Sequence, residues 1–232
     1  MSPCCLISLR TGADGTASFV LHAEKADHLL VLARTGTAIR VYLVDPATDG
    51  VAIEKLATND PTLRLSRIRC AGACGTELEG VDETAIEAAL DLVRVALAGE
   101  QAGGVKRIFD LTVEYLKTRY QFGRQIGSYQ SLKHIAADML IDVESAASAA
   151  RHAAKMQAAG SPEAKSAISL AAFACADAYR DVSAQAIQLH GGIAYTWEHP
   201  AHLYWRRART GLWLFGSSDQ HREDYLTCLE SV

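Results

Sequence analysis

The sequence has little excess charge of either sign. Its formal net charge is −4 over 232 residues, which implies neither nucleic acid nor an anionic membrane surface as a partner. No apolar run approaches the ~20 residues a membrane-spanning helix needs. The opening stretch MSPCCLISLR lacks the cationic end and long apolar core of a secretory signal, so a cytoplasmic location is the default expectation. Paired cysteines are missing too. Cys4, Cys5, Cys70, Cys74, Cys175 and Cys228 form no C-x-x-C pair. The nearest approach, Cys70 with Cys74, is followed by no second pair or histidine cluster at zinc spacing. Reduced thiols are expected, several of them filling the core. There is no internal repeat and no low-complexity segment.

What is present is an ordinary globular composition, 49% hydrophobic and 22% charged, long enough for one large domain or two small ones. The chain changes character near Gly80. Before it, short β-branched runs (ASFVLHA, HLLVLART, AIRVYLVD, GVAIEKL, LRLSRIRC) are separated by Gly, Asp, Pro and Asn. They predict an antiparallel sheet of about five strands. After Gly80 the apolar period becomes helical, through Ile86, Leu90, Val93, Leu97, Ile108, Leu111 and Tyr115. Gly103 and Gly104 lie inside this helix and imply either close approach of another group or a weak point. A second helix is expected from about Tyr129 to Ala159. A third starts at Ser161 as N-cap with Pro162 in the first position and ends at Gly191–Gly192. Shorter helices follow in PAHLYWRRARTGLWLF and SSDQHREDYLTCLE. The fold class is therefore α+β: a short antiparallel β-domain fragment over 1–80, then an up-down four-helix bundle over 81–232.

Two stretches carry more chemistry than bundle packing requires. TRYQFGRQIGSYQS (118–131) puts Arg119, Gln121, Phe122, Gly123, Arg124 and Gln130 into a joint between helices. QLHGGIAYTWEHPAHLYWRRA (188–208) contains Gly191 and Gly192, whose N–H groups are unshielded by a Cβ. Guanidinium, amides, an aromatic face and exposed N–H groups are parts for a dinucleotide site. A polar loop and a glycine C-cap explain the same residues without a ligand. Glu198, His199 and His202 are close in sequence, but no third group at metal spacing follows, and no metal is expected. Trp197, Tyr204 and Trp205 fit packing between subunits, and Arg206 and Arg207 fit salt bridges within the bundle or across a subunit contact.

EYLKTRYQFGRQIGSYQSLKHIAADM and QAIQLHGGIAYTWEHPAHLYWRRA resemble the two signatures of the acyl-CoA dehydrogenases, in the same order and helical context. The likeness extends back through LDLVRVALAGEQAGG into the strands, while residues 1–16 resemble nothing in that family. The resemblance implies the C-terminal helical domain of a flavoprotein that uses FAD to dehydrogenate an acyl-CoA thioester at its 2,3 bond, in fatty-acid or steroid side-chain breakdown. It places Arg119 and Phe122 on the ADP half of FAD, with Gln121 and Gln130 assisting. Gln188, Gly191 and Gly192 would approach FAD from a neighbouring subunit. Asp91 to Arg94 would face acyl-CoA. An electron-transfer acceptor and a homo- or hetero-oligomer, dimer or tetramer, are implied as partners.

The chain departs from this pattern in two ways. The family's N-terminal helical domain and the first half of its β-domain have no match. The carboxylate that removes the α-proton is also missing from both of its usual positions, which are occupied by Phe215 and Val93. Glu100, two turns beyond Val93, is a weak substitute at ~10 Å further along the helix axis. Asp219 and Glu223 fit solvated helix-start charges. The catalytic residue is thus unknown from sequence. These features resemble the base-lacking subunits of α2β2 acyl-CoA dehydrogenases. A purely structural subunit of such a complex and an acyl-CoA oxidase are the competing expectations.

Overall fold

The computed structural model describes residues 6–9, 13–35 and 38–230; Cys4 and Cys5 lie outside them. Two compact units form, residues 1–89 and 90–232.

The first unit holds β1 (Leu6–Leu9), β2 (Ala13–Leu21), β3 (Leu29–Thr35), β4 (Ala38–Val44), β5 (Val51–Lys55), β6 (Leu65–Ala73) and β7 (Thr76–Glu77). They form one sheet in the order β5-β6-β2-β1-β3-β4-β7. Strands β3 and β4 pair along their whole length, from Leu29 opposite Val44 to Thr35 opposite Ala38. Leu29, Val31 and Ala33 turn inward, while Leu30 between them is 66% exposed, so the pleat gives one buried face. Ala17, Val44, Ile68, Cys70 and Ala73 complete that core. Between Ala17 and Val20 the β2–β6 register shifts, and Phe19 at φ 63° lies at the resulting bulge.

The five strands expected from periodicity all occur. Two more do not announce themselves in sequence. β1 is only four residues long and lies between β2 and β3, antiparallel to the first and parallel to the second. β7 is a two-residue edge. The sheet is thus antiparallel except at the β1–β3 pair.

The helices are α1 (Glu83–Thr118), α2 (Gln130–Ala158), α3 (Ala164–His190), α4 (Ala201–Gly211) and α5 (Ser218–Glu230). A short hairpin, β8 (Tyr120–Gln121) and β9 (Arg124–Gln125), joins α1 to α2. α1 is continuous for 36 residues through Gly103 and Gly104. Its buried stripe is Ala98, Gln101, Ala102, Val105, Ile108, Thr112 and Leu116. Leu90, Val93, Leu97 and Leu111, which carry the apolar period in sequence, are half-buried. Small residues take the centre because α3 comes close. A Cβ at Gly104 would stand 2.7 Å from Tyr179 Cζ.

α3 packs against α2, α4 and α5. It is apolar on most sides, as a central helix must be; Ala171, Cys175, Val182 and Ala186 are fully buried. It begins three residues after Ser161, whose hydroxyl accepts the Glu163 N–H at 3.2 Å and whose carbonyl accepts the Ala164 N–H at 3.0 Å. Two short helices, α4 and α5, complete the bundle against α3. The Arg222 guanidinium of α5 grips Asp177 of α3 and lies 5.0 Å over the Phe173 ring. Cys70 and Cys175 are buried free thiols, Cys228 is half-buried and Cys74 exposed. Among the described residues no helix is long and apolar enough to cross a membrane.

Candidate functional site

The joint is a built platform. α1 closes with the Arg119 N–H donating to Tyr115 O at 2.9 Å, and the Ile126 N–H donates to Arg119 O at 2.9 Å. Phe122 (φ 53°) and Gly123 (φ 79°) form the turn. Positive φ at both central residues is the geometry that suits the right-handed twist of a two-residue hairpin. Left-handed backbone is uncommon for a bulky residue, and here it carries a ring that is 85% exposed. Below the turn, Tyr129 OH donates to Gln121 O at 3.2 Å, and the Arg124 guanidinium lies 3.8 Å over the Tyr129 ring. Gly127 sits so close to α1 that a Cβ would be 2.7 Å from Leu116 O. Arg119, Gln121, Phe122 and Gln130 are all exposed, and no ion pair engages Arg119 among the described residues.

The second stretch begins where α3 stops. Gly191 (φ 64°) caps it, its N–H turned to the Ile187 and Gln188 carbonyls. The glycine C-cap expected from sequence is therefore real. Gly191 and Gly192 also face open space, with nothing within 4 Å of a Cβ at either. Gln188 is exposed beside them. His190, 4% exposed, donates from Nδ1 to Ala186 O at 2.8 Å and stacks 4.6 Å from the Tyr115 ring. Tyr115 is one turn before Arg119. The structure thus brings Arg119, Gln121, Phe122 and Gln130 to the same end of the bundle as Gln188, Gly191 and Gly192.

Asp91 and Arg94 lie elsewhere. Twenty-four residues of helix separate Arg94 from Thr118, about 36 Å of rise. Their side chains, 17% and 15% exposed respectively, pair at 2.7 Å. Arg94 lines a cavity of about 10 Å³ with Leu97, Gln101, Gly216 and His221. His221 went unnoticed in the sequence, because nothing in its spacing marks it. It is 5% exposed and packs under Gly216, where a Cβ would stand 2.6 Å from its ring. Burial, and then the Arg94 guanidinium, push its imidazole below the usual histidine range against the opposing pull of Asp224.

The positions lacking a base stay lacking. Phe215 (φ 59°) and Val93 are half-buried and cannot accept a proton. Glu100 is held by Arg207, whose Nε and Nη2 donate to its two carboxylate oxygens at 2.6 and 2.7 Å. The Arg207 salt bridge is therefore within the bundle. Asp219, 95% exposed, pairs with Arg222 at 3.1 Å. Among the described residues no group of three or more His, Cys, Asp or Glu is arranged to hold a metal ion.

Residues 83–227 match the acyl-CoA dehydrogenase C-terminal domain. The chain is 41% identical over 161 residues to acyl-CoA dehydrogenase IpdE2 of Mycobacterium tuberculosis (strain ATCC 25618 / H37Rv), covering 67% of this chain and 45% of that protein. It is 42% identical over 167 residues to acyl-CoA dehydrogenase FadE34 of the same strain, covering 72% of this chain and 23% of that one. The ChsE4-ChsE5 complex from Mycobacterium tuberculosis contains a chain that superposes with a TM-score of 0.86 at 27% identity, over 95% of this chain and 60% of its own. The chain thus spans less than half the length of these two curated relatives. With the matched domain covering more than half of the chain, the chain belongs to the acyl-CoA dehydrogenase family.

Proposed function

We propose that this chain is a flavoprotein subunit for FAD-dependent 2,3-dehydrogenation of an acyl-CoA thioester, a fatty-acyl or steroid side-chain substrate, and that a partner subunit supplies the catalytic base. The observation that carries this reading is the contrast between two ends of one helix. Near Thr118 the groups suited to a dinucleotide are exposed and pre-positioned; at the other end, Val93 and Phe215 carry no carboxylate, and none is among the described residues that line the cavity beside Arg94.

The residues present fit the ADP half of FAD. Arg119 would pair with the pyrophosphate, Gln121 and Gln130 would offer amides, Phe122 would cover a ring, and Gly191 and Gly192 leave room that any Cβ would fill. Because both groups share one end of the bundle, they would meet one and the same flavin. The acyl-facing pair Asp91 and Arg94 is too far along α1 to serve that flavin's reactive end, so each complete site draws on more than one subunit. FAD would accept the hydride from the β-carbon; the α-proton needs a carboxylate within hydrogen-bond reach, which neither Val93 nor Phe215 supplies. Electrons would leave to a separate acceptor protein. The likeness to a chain from a two-protein complex supports a heteromeric dimer or tetramer. The missing base also favours a second reading, a structural subunit that binds no substrate.

The test is reconstitution. The purified chain alone is expected to give little or no dehydrogenation with an artificial electron acceptor, since loss of a general base costs roughly 10²–10⁴-fold. Turnover should appear with a full-length relative that carries the glutamate, and Arg119→Ala should lower the flavin absorbance of that complex. Robust turnover by the isolated chain would overturn the proposal; an active complex whose flavin absorbance is insensitive to Arg119→Ala would favour the structural subunit.

A further inference from the structure

A column of rings closes the end of the bundle where α3 gives way to α4. Tyr115 of α1 lies 4.6 Å from His190 of α3, and His190 lies 4.4 Å from His199 in the connecting loop. His202 of α4 meets the edge of Trp197 at 4.8 Å, and the Arg206 guanidinium stands 5.6 Å over that same indole. These contacts hold the segment from Gly191 to Pro200 on the bundle.

We propose that this column is an acid-operated latch: neutral imidazoles keep the Gly191–Pro200 segment seated, and proton uptake releases it. Each histidine is placed to favour the neutral form. His190 already spends Nδ1–H on Ala186 O, and its buried Nε2 has no hydrogen-bond partner. Both ring nitrogens of buried His202 lack partners as well. His199 Nδ1 accepts the Ala201 N–H, the first of α4, at 3.2 Å; a proton on Nδ1 would abolish that acceptor. The other groups facing the column do not balance added charge. Tyr115 is neutral, Arg206 is itself cationic, and the fully exposed Glu198 carboxylate is turned to the Thr196 hydroxyl and its own backbone N–H. Burial depresses the basicity of all three histidines; at His190 it outweighs the opposing pull of the Ala186 carbonyl and is joined by the His199 charge, while the His202 charge adds at His199 and the Arg206 charge at His202. A buried charge without a partner is costly, and histidine is the side chain that acquires one just below neutrality. The latch needs no flavin. Its consequence for the cofactor rests on the reading above, since the released segment begins with Gly191 and Gly192.

Hydrogen exchange on the full flavin-free chain tests it. After correction for intrinsic exchange, protection across 191–203 should fall about tenfold or more between about pH 7.5 and about pH 5.5, while the α2 interior around Val143 and Ala146 stays protected. Pairing His199→Asn, which keeps a side-chain acceptor two residues before the Ala201 N–H, with His202→Phe, which keeps a ring against Trp197, should remove most of that fall; His199→Asn alone should remove part of it. Equal wild-type protection at both pH values overturns the latch, as does an undiminished fall in the double variant. If the segment opens in acid yet the flavin content of the reconstituted complex does not change, the latch stands and the cofactor assignment of Gly191 and Gly192 fails.

Discussion

The ring of Tyr179 occupies the place where a side chain at Gly104 would have to go, with Tyr179 Cζ 2.7 Å and its hydroxyl 2.9 Å from a Cβ there. One residue earlier, Gly103 has nothing within 4 Å. Adjacent glycines in one helix therefore have opposite roles. Gly103→Ala should raise stability by about 1 kcal/mol through helix propensity. Gly104→Ala should lower it by about 1–3 kcal/mol, because a 3% exposed tyrosine cannot move aside without cost. Urea midpoints of the two variants, at unchanged slope, check both signs.

Phe122 combines a left-handed backbone with an exposed ring, a combination that packing does not require. Phe122→Asn should stabilise the hairpin by about 1 kcal/mol, since Asn visits that conformation more readily. In the reconstituted complex the same change should lower flavin content. A rise in thermal midpoint alongside a loss of yellow colour is the expected pair of results.

The ion pair between Glu100 and Arg207 bears on the missing base. With 48% and 17% of the two side chains exposed, it should contribute no more than about 1 kcal/mol. Glu100→Gln should therefore cost little stability and leave turnover of the complex unchanged, and Phe215→Ala should likewise leave the chemistry largely intact. Steady-state assays of both variants decide this. An isolated chain that turns over and stops on Glu100→Gln would identify Glu100 as the base.

Thiol reactivity should divide by burial. Burial pushes the Cys175 thiol up to about 12, with the opposing pull of a backbone hydrogen bond too weak to offset it. Burial also raises Cys70. Since the thiolate is the nucleophile, iodoacetamide should label exposed Cys74 in the native chain and reach Cys70 and Cys175 only after unfolding. Peptide mass spectrometry before and after denaturation reads the difference.

Four histidines, His190, His199, His202 and His221, have their basicity lowered in the fold, each mainly by burial. The unfolded chain then binds more protons than the folded one below the ordinary histidine value of about 6.5. Stability should be fully present above that pH and fall as the pH drops through it. His221→Gln should flatten the slope. Chemical unfolding midpoints from about pH 8 down to about pH 5 would show it, and a flat profile would count against it.

Much of the architecture was legible because it is written in local periodicity. Alternation in LRLSRIRC points to the buried Leu65 and Ile68 of β6, and the switch of period near Gly80 locates the start of α1 at Glu83 within three residues. What escaped was non-local. β1 depends on two neighbours that flank it in space, and four residues carry too little pattern to reveal that. The apolar period of α1 does not by itself give its buried stripe, for a related reason. Large apolar residues dominate a periodicity count, yet the centre of the interface goes to Ala98, Ala102 and Gln101, where close approach by neighbouring helices rewards small volume over hydrophobicity.

The candidate site divides along the same line. The residue types suited to a dinucleotide, and the lack of a carboxylate at positions 93 and 215, are properties of the sequence itself, since a side chain that cannot take a proton cannot do so in any fold. Only the tertiary structure decided that Arg119 and Gly191, seventy-two positions apart, share one end of the bundle. It alone engaged Glu100 with Arg207 and buried His221 beneath Gly216. The physical reason is that antiparallel packing of long helices fixes which termini meet, whereas the sequence fixes only what chemistry each terminus brings.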